Sequence, residues 1–255
     1  MSCVRAQHRP RRAAPDRTGQ GRRLDERLVA RAARNNAQWC DAVCRLHGIT
    51  GTFSDDAWTS AVRTPTHYPD AVTLRRSVDP AGVLDRADAS RGCSVKDSFA
   101  ELDLGPWGFE VLFEAPWIQC TAESDRGAAG AQPWSQVRDD QTLAAWEAAR
   151  AVEGEGHRAF PPGLLAHPDV LVLGASHGEE IVAGAVVYVG AGVAGLGSLF
   201  TTGPAPSDAF AGAAAAVARL HPGLALVGYE TGVLLDAAEE AGFERIGRLA
   251  VWIRT

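Results

Sequence analysis

The sequence predicts an α/β fold arranged as two successive units. Three observations predict it. Apolar runs of strand length recur at residues 70–75, 109–118, 170–174, 181–189, 193–201 and 226–229. Segments with apolar residues at three- and four-residue steps alternate with them, as helices require. A stretch rich in small and polar residues, CTAESDRGAAGAQP at 120–133, then divides the chain into 24–119 and 134–255.

The elements follow in order. Residues 24–46 read as a helix with Leu28, Ala32, Trp39, Val43 and Leu46 on its apolar side, stopped at Gly48. A loop with Phe53 and Trp58 leads to the strand at 70–75 and a short helix at 80–89. Extended segments at 93–104 and 109–118 flank the turn Gly105-Pro106-Trp107-Gly108. In the second unit, 134–137 is a strand, and 140–151 and 161–166 are helices. Residues 170–174, 181–189 and 193–201 are successive strands, the last two an antiparallel pair. Ser207 caps an alanine-rich helix that runs to Leu220 and ends at His221-Pro222-Gly223. Residues 226–229 form a strand. Thr231 or Gly232 opens a helix with Val233, Leu234, Ala238 and Ala241 on one face, ended by Gly242. Two extended runs close the chain, one from Phe243 and one over 249–253.

Composition limits the function classes. At 46% hydrophobic and 22% charged, the chain has the balance of a soluble globular protein. No apolar run is long enough to span a bilayer, and the N-terminus lacks the apolar core of a signal peptide. Five cysteines, an odd number in so long a chain, point to a reducing cytoplasm. Lys96 is the single lysine, a bias toward arginine that goes with a GC-rich, bacterial-type genome. Residues 1–34 hold ten arginines and three acids, a balance of +7 that leaves the remainder at −13. Residues 1–23 read as a disordered, arginine-rich tail. The acidic body disfavours nucleic acid and favours a cationic, amine-bearing partner.

Three motifs fail on context. Gly190-Ala191-Gly192-Val193-Ala194-Gly195 matches a dinucleotide fingerprint, but an extended run follows it where a helix is needed. Gly174-Ala175-Ser176-His177-Gly178 matches a nucleophile elbow, yet it joins strand to strand rather than strand to helix. Cys40, Cys44 and His47 lack a fourth ligand nearby, so the thiols read as core residues and no metal site is expected.

The final thirty residues, LVGYETGVLLDAAEEAGFERIGRLAVWIRT, place strand, helix, Ala-Gly-Phe-Glu and strand in succession. This resembles the C-terminal half of the GNAT superfamily of acyl-CoA-dependent N-acetyltransferases, and the element order from Trp134 onward is similar to that superfamily's. Glu239 and Gly242-Phe243 match its usual wording, while Thr231, Leu234, Ala237 and Glu240 depart from it. Ala238 stands where a tyrosine often protonates the departing thiolate. The resemblance implies a mixed, mostly antiparallel sheet flanked by helices. A short echo, Gly108-Phe109-Glu110 with Trp117-Ile118 against Gly242-Phe243-Glu244 with Trp252-Ile253, points to a tandem protein with an eroded first half.

The resemblance also implies an activity: acyl transfer from acetyl-CoA to a primary amine of a small molecule or protein. Glu230, at the end of a strand, is the candidate base. Leu199, Phe200, Thr201, Thr202, Gly203 and Ser207 would hold the coenzyme through backbone groups and the following helix N-terminus. The superfamily's Gln/Arg-x-x-Gly-x-Gly/Ala loop is replaced by a segment containing Pro204, Pro206 and Asp208. Those departures support a second reading, a pseudo-acetyltransferase that binds without turnover. Trp107, Trp117 and Trp134 are candidates to line a pocket between the units, with core packing as their alternative use.

Overall fold

The computed structural model describes residues 17–121, 133–151, 160–161 and 163–255, with side-chain environments from Asp25 onward. Eleven strands form one sheet. In chain order the elements are α1 (Arg17–Leu46), β1 (Thr52–Phe53), β2 (Ala57–Thr59), β3 (Ala71–Thr73), α2 (Pro80–Leu84), β4 (Ser94–Asp97) and β5 (Phe109–Cys120). They continue with β6 (Trp134–Gln136), α3 (Asp140–Arg150), β7 (Val170–His177), β8 (Glu180–Gly190), β9 (Val193–Thr201), α4 (Pro206–Leu220), β10 (Leu226–Tyr229), α5 (Gly232–Glu240) and β11 (Glu244–Arg254). The spatial order is β1-β2-β3-β4-β11-β5-β10-β9-β8-β7-β6. The sheet is mostly antiparallel, with β3 parallel to β4 and β9 parallel to β10.

Local chemistry sets most boundaries. Pro80 begins α2 and Asp79 accepts from the amides of Ala81 and Gly82, satisfying two orphan donors. Asp139 caps α3 in the same way through Thr142. Glycines 178 and 192 adopt positive φ at the tips of the β7–β8 and β8–β9 hairpins. Strand β9 directly follows Gly192, so the glycine-rich segment is a hairpin.

Several expectations are corrected. Helix α1 begins at Arg17, so part of the 1–23 tail is helical, and residues 1–16 lie outside the described residues. Residues 122–132, most of the expected linker, also lie outside them, while Cys120 belongs to β5. Ser207 does not cap α4. The helix starts one residue earlier at Pro206, whose fixed φ and absent N–H suit the first position. On α5 the apolar face is Leu235, Ala237 and Ala238 with partly buried Leu234 and Ala241, leaving Val233 79% exposed. The two extended runs expected after Phe243 are one strand. Gly247 marks an irregularity in its pairing with β5 rather than a turn.

That single strand explains the internal echo. The series β1-β2-β3-α2-β4-β5 parallels β7-β8-β9-α4-β10-β11, with antiparallel neighbours first and a parallel helix crossover next. Each series then gives its last strand to the other: β5 pairs with β10, and β11 with β4. The two exchanged strands also pair antiparallel with each other. Glu110 meets Ile253 and Glu244 meets Gln119, as a local two-fold demands. The halves therefore share one sheet and neither closes without the other.

Helices cover both faces. Helices α4 and α5 bury Ala213, Phe210, Leu235 and Ala238 against β8–β10 on one face. Helices α1 and α3 cover the other, side by side on the sheet. Trp146 of α3 donates to Leu173 O at 2.8 Å and lies against Gly184, where a Cβ would overlap the indole. Asn35 of α1 donates to Tyr188 O (2.9 Å) and Gly190 O (3.0 Å), and Arg31 to Ala191 O (3.1 Å). These bonds fasten α1 over the β8–β9 hairpin. Among the described residues, no helix is long and apolar enough to cross a membrane.

Candidate active site

Strands β9 and β10 pair at only two positions, Leu226 with Ala194 and Val227 with Gly195. Beyond them β10 stays with β5, as far as Tyr229 opposite Trp117. Strand β9 instead follows β8 to Thr201. A bulge helps to part them. Gly197 opposes Val186 and Phe200 opposes Gly184, so Ser198 and Leu199 face Ala185 alone, and Ser198 takes φ 52°.

The resulting V opens into a cavity of about 900 Å³. Gly195–Ser198 of β9 and Val227–Glu230 at the end of β10 form its floor. Helix α1 supplies Asn35, Asn36 and Trp39, the loop after β2 supplies residues 65–68, and Trp117 closes one side. Val186, Tyr188, Phe160 and Arg150 close the other. The Trp39 ring stands 6.2 Å from each of the rings of Tyr68, Phe160 and Tyr188, so an aromatic box occupies that end. His67, within the 65–68 loop, adopts φ 73°, a strained conformation of the kind that gathers at functional sites.

Glu230 is half-buried at the cavity floor, and no described residue gives its carboxylate a hydrogen bond or ion pair. Burial disfavours the charged form and pushes its pKa up to about 7, from the usual 4.5. A carboxyl of that pKa can accept a proton from an amine near neutral pH. Because the folded-state pKa is raised, Glu230 contributes fully below about 4.5, and the contribution is lost as pH rises through about 7. Glu230→Gln is expected to melt at the wild-type temperature at pH 4 and to be more stable at pH 8, by on the order of 2 kcal/mol. Calorimetry at the two pH values checks this; a variant less stable than wild type at pH 8 would contradict it.

Beside Glu230, Tyr229 presents its hydroxyl to Lys96, which donates at 2.8 Å to Tyr229 Oη and at 2.9 Å to Asn36 Oδ1. Lys96 is only 5% exposed. An ammonium can only donate, so the Tyr229 oxygen is the acceptor and its own proton is free to point elsewhere.

The expected coenzyme-holding residues lie along β9 and the loop beyond, outside the cavity wall. Leu199 is buried against α4 and α5. The Phe200 ring packs edge-on against Trp146 at 5.0 Å and is not part of the cavity lining. The Thr201 hydroxyl donates to Pro204 O at 2.8 Å, and the Thr202 amide to Val182 O at 2.8 Å. Gly203 is exposed and Ser207 sits half-buried in the first turn of α4. Of the tryptophans, Trp117 lines the cavity, Trp134 is buried beside Gly212, and Trp107 is 38% exposed. Cys40 and Cys44 are buried with Trp58 and Val72, and burial raises their thiols to about 11 and about 12, which keeps both protonated. Among the described residues, no group of three His, Cys, Asp or Glu side chains is placed to hold a metal ion.

Sequence reasoning missed the contribution of α1. Asn35 and Asn36 stand in the middle of a thirty-residue helix, where asparagine is a poor helix former. That adjacent pair, set among alanines, was the available signal.

No protein-family model matches the chain, and no curated protein matches its sequence. Solved structures do match it in shape. One is a GCN5-related N-acetyltransferase from Kribbella flavida, at TM-score 0.59 and 15% identity, with 88% of this chain and 95% of that chain covered. Another, assigned to the GNAT family, is from Novosphingobium aromaticivorans, at TM-score 0.55 and 12% identity over 85% and 96%. A third is a functionally unknown conserved protein from Staphylococcus epidermidis, at TM-score 0.56 and 9% identity over 80% and 93%. Identities this low establish shape and nothing more. The chain has the fold of the GCN5-related N-acetyltransferases.

Proposed function

We propose that the protein transfers an acyl group from acetyl-CoA or a related thioester to a primary amine of a small molecule or protein. The observation that carries this reading is Glu230, half-buried and unpartnered among the described residues, at the point where β9 and β10 part. The amine reaches the thioester carbon from the cavity. A C–N bond forms, the Glu230 carboxylate takes the amine proton, and the C–S bond breaks. Ala238 stands where the superfamily often has a tyrosine. In this reading Tyr229, its oxygen held by Lys96, returns a proton to the departing thiolate.

Two features of β9 and α4 support a place for the coenzyme. The bulge at Ser198 and Leu199 disturbs the β8–β9 ladder where a thioester carbonyl needs a backbone donor. Residues Leu199–Gly203 would line the pantetheine arm. The first turn of α4, with Ser207, would face the pyrophosphate. That Phe200 packs on Trp146 and is not part of the cavity lining supports an open V.

One observation favours the alternative of a binding module without turnover: Pro204 and Pro206 remove donors at the pyrophosphate loop, and Asp208 adds a negative charge. Two measurements decide between them. Calorimetric titration with acetyl-, propionyl- and succinyl-CoA is expected to give saturable binding, and amine-dependent release of the free thiol is expected to follow. No heat with any of the three would remove the acyltransferase; heat without thiol release across a broad amine panel would leave the binding module.

A further inference from the structure

The cavity contains an unused cation. Arg63, Arg75, Arg76, Arg245 and Arg248 each meet a carboxylate. Arg150, at the last residue of α3, meets none among the described residues. Its Nε is buried without a hydrogen-bond partner, and its guanidinium lies 5.8 Å from the Phe160 ring centre. Burying such a donor unpaired is costly, and a ligand acceptor would remove the cost. Among the described residues that line the cavity, Arg150 is the one Arg or Lys side chain, and Glu230 the one acid.

The two groups stand apart. Glu230 ends β10, whereas α3 packs over β8, two strands away. At the usual strand spacing that is roughly 10 Å before side-chain reach. The aromatic box of Trp39, Tyr68, Phe160 and Tyr188 lies at the Arg150 end. Resting on the acyl-transfer reading of Glu230, we infer that the acceptor is an amine whose far end carries a carboxylate or phosphate, bound by Arg150, with an apolar or aromatic body between. The fork of the guanidinium matches such an anion bidentately, and the rings take the body of the molecule.

The same anion chemistry could come from the phosphates of the coenzyme, so the test separates the two sources. The probes are N-acetyl-4-(aminomethyl)phenylacetate and N-acetyl-4-methylbenzylamine, products that differ in the carboxylate, titrated calorimetrically without turnover. Wild type is expected to bind the carboxylate 10- to 100-fold more tightly, on the order of one charge-assisted pair. Arg150→Gln is expected to abolish that preference, Arg150→Lys to keep part of it, and both to leave acetyl-CoA affinity unchanged. Equal affinity of wild type for the two probes, or binding of neither, would overturn the inference. So would an Arg150→Gln variant that loses acetyl-CoA affinity while keeping the preference, since the anion would then be the coenzyme's. A preference without thiol release from any amine retains the anion subsite and removes the acyl-transfer reading instead.

Discussion

Glu230→Gln is expected to lower turnover on the order of a hundredfold while leaving acetyl-CoA affinity nearly unchanged. Glutamine keeps the volume and one oxygen but cannot accept the amine proton. The wild-type rate should depend on pH through the same group. Burial holds the Glu230 pKa at about 7, so the ionised base is half-formed there. The rate should fall about tenfold per unit below that value and level off above it, until other groups titrate. In Glu230→Gln the acid limb should vanish, leaving a low, flat profile. Steady-state thiol release from pH 5.5 to 9 checks both statements. An unchanged acid limb in the variant would assign the titration to another group.

The second large effect concerns the exchanged strand. Trp117 on β5 is 1% exposed and donates to Ser98 O at 2.8 Å. Its ring meets Tyr229 edge-on at 5.5 Å. It therefore ties β4, β5 and β10 together at the seam between the halves and forms part of the cavity wall. Trp117→Ala is expected to cost about 3–5 kcal/mol, from lost burial, the cavity left behind and an orphaned carbonyl. For a chain of this size that lowers the melting temperature by roughly 10 °C. Trp117→Phe should cost about 1–3 kcal/mol, chiefly the unsatisfied Ser98 carbonyl. Urea unfolding followed by two probes measures both. Equal costs for the two substitutions would show that the lost hydrogen bond dominates and that ring packing adds nothing.

How much of this was legible in the sequence depends on how local each cause is. Strands β9 and β10 were placed to the residue, because continuous apolar runs bounded by glycine, proline or polar residues leave few alternatives. The hairpin at residues 190–192 was legible for the same reason. The start of α4 was misread because Pro206 was weighed as a lost donor and not as a first helical residue. The exchange of β5 and β11 was not legible. Strand partners 134 positions apart leave no local mark, and the Gly-Phe-Glu echo does not say which strand pairs with which. Glu230 was reached from its place at a strand end, yet its burial comes from walls distant in sequence: Asn36 and Trp39 of α1 and the loop at 65–68. Arg150 stood out only once its side chain was seen to meet no carboxylate among the described residues.

The central claim is that the V between β9 and β10 is where the thioester and amine meet. A crystal structure with a non-hydrolysable acetyl-CoA analogue tests it most directly. The acyl carbonyl is expected beside the backbone of Ser198 and Leu199, the sulphur replacement between β9 and β10, and Glu230 facing the acyl carbon from the cavity. An analogue bound on another face of the sheet, with the V left empty, would contradict it.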